Sequence, residues 1–153
     1  MQMGSKGLLL ILPMQLIFGL ANGCFIVLSA RAVVATGMTI EINGNLSILS
    51  LVGWMAILLA SFLIMMAIGE NIGVDKGEIR IALILLLFST LIGYYLGALS
   101  ELGFLAVTEH LGYLTLTVAF RYTFSYAGTV YPLVLFIASS IGLSIGSTLL
   151  QKS

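Results

Sequence analysis

Leu46-Ser-Ile-Leu-Ser-Leu-Val-Gly-Trp-Met-Ala-Ile-Leu-Leu-Ala-Ser-Phe-Leu-Ile-Met-Met-Ala-Ile68 contains no charged residue. Wound as a helix, the run is long enough to cross the ~30 Å hydrocarbon core of a bilayer. Three other stretches have the same character: Leu8–Leu28, Ile79–Leu99 and Val130–Leu150. Among the four, only Ile79–Leu99 holds a charge, Arg80, and that lies at its edge. The pattern predicts a polytopic membrane protein, an all-α bundle of four transmembrane helices in one domain over residues 1–153.

Composition agrees. Of the 153 residues, 60% are hydrophobic and 8% charged, against about 25% charged in a soluble domain. Too few charges remain to coat a water-facing surface, so membrane lipid is the expected surroundings. Net charge is zero and the six Lys and Arg residues are scattered, which argues against nucleic-acid binding. One cysteine, Cys24, excludes an internal disulfide or a CxxC redox pair. One histidine, His110, excludes a multi-His metal cage or bis-His haem within the chain. No cofactor is expected. Lys6 precedes the first apolar run as in a signal peptide, but at about 22 residues the run exceeds the 7–15 of a signal core. A retained first helix, continuing to about Ala35, is therefore expected.

Two segments between the spans read differently. Residues 38–48 alternate apolar residues at Ile40, Ile42, Leu46 and Ile48 around Asn43-Gly44, the composition of a type I′ hairpin. From Leu114 to Ala127 every even position up to 126 is apolar or aromatic and every odd one is small, polar or Arg121, the period of a strand near 114–126. The competing reading is a fifth span over 102–120. It would bury Glu109 and His110, and a charge at mid-bilayer costs roughly 2.5–3.5 kcal/mol. A small extramembrane β element is expected instead, its segments paired with each other or around an oligomer. With both termini cytoplasmic, Lys6, Lys76, Arg80 and Lys152 lie inside and Arg31 and Arg121 outside, in accord with the positive-inside rule.

Helices in lipid associate where small residues let backbones approach. Each span carries such a pair: Gly19 and Gly23, Ala56 and Ala60, Gly93 and Gly97, Gly142 and Gly146. On the first span, Gln15, Gly19, Asn22, Gly23 and Ser29 share one face, with Cys24 and Arg31 opposite. Gln15 and Asn22 need hydrogen-bond partners in a dry environment. Glu101 extends the Gly93–Gly97 stripe by a turn. With Glu109, His110 and Arg121 it makes up a salt-bridge cluster or, with Gln15 and Asn22, a polar path. The carboxylates and His110 match no metal-ligand spacing.

The layout of four spans resembles the tetraspan plan of the claudins in architecture alone. That family's tryptophan and cysteine-pair loop motif is absent, since Trp54 lies in a span and Cys24 is the sole cysteine. Rotary-ATPase proteolipids are similar in size and span count, but they need a mid-membrane carboxylate, which Val130–Leu150 lacks. The function expected from the residues is a non-enzymatic structural or accessory subunit. It would assemble through Gly-rich faces and an outer β rim, by self-association or with other membrane subunits. A channel or transporter subunit conducting past Gln15, Asn22 and Glu101 is the alternative.

Overall fold

A computed structural model describes residues 2–35, 44–70, 76–108 and 126–148. They form four helices: α1 (Gln2–Ala35), α2 (Gly44–Glu70), α3 (Lys76–Thr108) and α4 (Tyr126–Thr148). Each contains a stretch long and apolar enough to cross a membrane: Gly7–Val27, Val52–Glu70, Glu78–Phe104 and Thr129–Thr148.

Polarity is inverted relative to a soluble protein. Large apolar side chains cover the outside, among them Leu9, Ile17, Met55, Leu59, Ile84, Phe88, Leu133 and Ile137. Gln15, Asn22, Ser61, Ser89, Thr90, Ser139 and Ser147 are buried. An apolar exterior on all four helices is one that the hydrocarbon of a bilayer accommodates. Serines and threonines inside the helices spend their protons locally. Ser89, Thr90, Ser139 and Ser140 donate to the carbonyls of Leu85, Leu86, Leu135 and Phe136, one turn back, at 2.6–2.7 Å.

The helices pack as two parallel pairs. In the first, α1 lies along α3. Gly19 rests on the Thr90 carbonyl and the Gly93 Cα, while Gly93 rests reciprocally on the Leu16 carbonyl and the Gly19 Cα. One turn on, a Cβ built at Gly23 would overlap the Tyr94 carbonyl, and one at Gly97 the Leu20 carbonyl. In the second pair, α2 lies along α4. Gly69 meets the Leu143 carbonyl and the Gly146 Cα, Gly146 meets the Met66 carbonyl, and Gly142 the Phe62 carbonyl. Gln15 meets Ser61 and Phe25 meets Gly53, so α2 runs antiparallel to α1. The starts of α1 and α3 and the ends of α2 and α4 therefore share one end of the bundle.

Between the pairs, on the side of Gln15 toward the start of α1, sits an aliphatic cluster. It consists of Ile11, Met65, Ile68, Ala82, Leu86 and Leu143, and each of these six side chains is apolar. Pro13 falls in the fourth turn of α1, since that helix begins at Gln2, and Pro132 in the second turn of α4. Neither supplies a backbone N–H to the preceding turn.

The expected hairpin is corrected in its second half. Residues 44–48 are helical and open α2, and no strand occurs among the described residues. Asn43-Gly44 can be read as a tight turn, but Asn is also a residue type that caps helix starts. Alternation past the Gly lasts only from Leu46 to Ile48 before Leu49 restores helical spacing. In lipid a helix satisfies its own backbone and a short strand does not. Residues 38–43 and 114–125 lie outside the described residues, and Tyr126 begins α4. Residues 102–108 of the alternative fifth span continue α3 without a break, and residues 109–120 lie outside the described residues.

Candidate functional site

The interior is organised around Gln15. A glutamine amide has two N–H donors and a carbonyl acceptor, and α1 presents all of them to the other three helices. Its Nε2 donates to Thr90 Oγ1 of α3 at 2.7 Å and to Ser139 Oγ of α4 at 2.9 Å. Its Oε1 lies 3.2 Å from both Ser61 Oγ of α2 and Ser139 Oγ. Ser61 and Ser139 are in turn 2.5 Å apart.

The proton count closes. The Thr90 and Ser139 hydroxyls donate back to the Leu86 and Leu135 carbonyls, which frees their oxygens to accept from Gln15. The Ser61 proton is then the one shared between Gln15 Oε1 and Ser139 Oγ. All four side chains are 0% exposed. One residue from each helix thus meets in a closed knot near the middle of the spans. Serines in apolar helices are routine, because each can bond to its own helix, so Ser61, Thr90 and Ser139 gave no sign in the sequence of a joint role.

The remaining sequence candidates are dispersed. Asn22 stands two turns beyond Gln15 on the same face of α1, about 10 Å along the axis. It is 0% exposed, and neither its Nδ2 nor its Oδ1 has a hydrogen-bond partner. Glu101 is half-buried on α3, one turn past Gly97, and lies at a further level again. Gln15, Asn22 and Glu101 therefore occupy separate levels. Glu109, His110 and Arg121 lie outside the described residues. Among the described residues no group of His, Cys, Asp and Glu is arranged to hold a metal ion.

The six glycines singled out on α1, α3 and α4 lie at the helix contacts within the chain, whereas Ala56 is exposed and Ala60 only half-buried. On α2 the close approach falls at Gly69, just past the end of the apolar run, which is why that residue escaped the sequence reading. Cys24 does not lie opposite the packing face as a helical wheel places it: its Sγ reaches the Gly97 carbonyl at 3.3 Å. With the two backbones held together at Gly23, side chains one position off the contact line still reach the neighbouring helix.

Compared with known families, curated proteins and solved structures, the chain matches none.

Proposed function

We propose that this chain is a non-enzymatic integral membrane subunit, structural or accessory, acting through assembly in the bilayer with itself or with other membrane proteins. The observation that carries the reading is the closed knot. Gln15 is the most polar side chain near the middle of the spans, and its hydrogen-bonding groups are consumed by Ser61, Thr90 and Ser139. A glutamine engaged in this way ties helices together, with its N–H groups and its carbonyl oxygen all engaged by neighbouring side chains.

Gly19, Gly23, Gly93, Gly97, Gly142 and Gly146 rest on backbone of the same chain. The surface left for a partner is the lipid-facing belt, with Ala56 exposed on α2 and open space beside Gly103 on α3. By the positive-inside rule we place the end holding Lys6, Lys76 and Arg80 on the cytoplasmic side.

Native mass spectrometry of the protein from its own membrane tests the reading. A defined oligomer or a stoichiometric co-purifying membrane protein is expected, and a strict monomer without a partner overturns it. Reconstitution into liposomes separates the channel reading: ion flux lost in Glu101→Gln would replace the accessory role with conduction.

A further inference from the structure

Among the described residues, the buried polar atoms without a partner all lie on one side of the knot. Toward the start of α1, Ile11, Met65, Ile68, Ala82, Leu86 and Leu143 form an aliphatic cluster. On the other side lie Asn22, the indole of Trp54 and the buried Tyr94.

Register brings Asn22 and Trp54 to one level. Gln15 of α1 meets Ser61 of antiparallel α2. Seven residues on along α1 is Asn22, and seven back along α2 is Trp54. Seven residues is nearly two whole turns, so both side chains return to the faces that carry Gln15 and Ser61. Contact between Phe25 and Gly53 confirms the alignment. The Trp54 ring packs edge-on against Tyr131 of α4, with centroids 5.5 Å apart.

Among the described residues, three buried polar atoms at this level have no partner: Asn22 Nδ2, Asn22 Oδ1 and Trp54 Nε1. An unpaired buried polar group costs about 1–3 kcal/mol, and partial pairing across the two side chains would still leave donors in excess. Together they present three N–H bonds and one carbonyl. The complement is an uncharged molecule with an accepting oxygen and a hydrogen to give back. Among the described residues neither Asn22 nor Trp54 brings a charge to pair with a charged guest.

We propose that Asn22 and Trp54 form an internal binding site for a small neutral oxygen-bearing molecule, of the amide, alcohol or water class. The site is independent of whether the chain assembles with partners.

Trp54 is the sole tryptophan, so its fluorescence reports on this level alone. The test uses full-length protein in lipid nanodiscs, with acetamide as the organic probe and exchange into D2O as the water probe. Acetamide is expected to shift the Trp54 emission saturably, with affinity about tenfold weaker in Asn22→Leu, the equivalent of one lost hydrogen bond. Leu96→Ala, a lipid-facing change on α3 at the same level, should leave the titration unaltered. If only water enters, acetamide has no effect, but emission responds to D2O and that response disappears in Asn22→Leu; this also supports the site. Emission indifferent to acetamide and D2O overturns it, as does a response identical in wild type and Asn22→Leu. Should Asn22→Leu fail to fold, Asn22→Ala, which removes the donors and the acceptor without adding bulk, is read against wild type on the same criteria.

Discussion

Gln15 shows how far a single polar residue can organise a membrane bundle. Its need for partners follows from the apolar run around it, and that need was legible in the sequence. Its partners were not, because Ser61, Thr90 and Ser139 look like ordinary helix serines and threonine until the helices are docked. Hydrogen bonds between membrane helices average roughly 0.6 kcal/mol, since the alternatives in the unfolded state also find partners. Gln15→Leu removes the two N–H bonds and the shared acceptor. It should therefore destabilise the fold by roughly 1–2 kcal/mol. Thr90→Val removes one acceptor, leaves one Gln15 N–H unpaired, and should cost about 1 kcal/mol. Reversible unfolding in mixed detergent micelles measures both. A Gln15→Leu variant as stable as the wild type would mean that the knot does not hold the four helices together.

At the scale of the elements, the glycines divide into those that permit a helix contact and those that do not. Gly23 has the Tyr94 carbonyl and the Ala98 nitrogen where a Cβ would go, whereas Gly103 has nothing within 4 Å. Gly23→Ala must push α1 off α3 and should cost about 1–3 kcal/mol. Gly103→Ala should gain about 0.5–1 kcal/mol by favouring the helix over the unfolded chain. Opposite signs in the unfolding midpoints are expected from two changes identical on paper. The helices were readable from apolar length, and three of the four small-residue pairs lie at contacts. Ala56 is exposed and Ala60 half-buried, and spacing locates a possible groove without saying whether a neighbour fills it. The segment after Asn43 misled because period-two and helical spacing overlap over so few residues, and the demands of backbone pairing in lipid decide between them.

At the scale of the whole molecule, the close packing is not between neighbours in sequence. Each tight pair takes one helix from residues 1–70 and one from residues 76–148: α1 with α3, and α2 with α4. The first half alone leaves Gly19, Gly23 and Gly69 without the backbones they fit, and the second half leaves Gly93, Gly97, Gly142 and Gly146 likewise. Splitting the chain after Gly73 should therefore give two fragments that are unstable as monomers but bind each other when co-expressed. The reciprocity of the α1–α3 contact sharpens this. Gly19 uses the same set of backbone atoms on α3 that Gly93 uses on α1, so a second α1 can stand in for α3. The isolated fragment 1–73 should form a parallel homodimer through Gly19 and Gly23, displaced by the fragment 74–153 and abolished by Gly23→Leu. Cross-linking through Cys24 provides the readout, because one position off the contact line it reaches the partner helix at the level of Gly97. A fragment 1–73 that stays monomeric, or whose Cys24 cross-linking survives Gly23→Leu, would mean that the glycine contacts follow from the docking of the two halves of the chain instead of driving it.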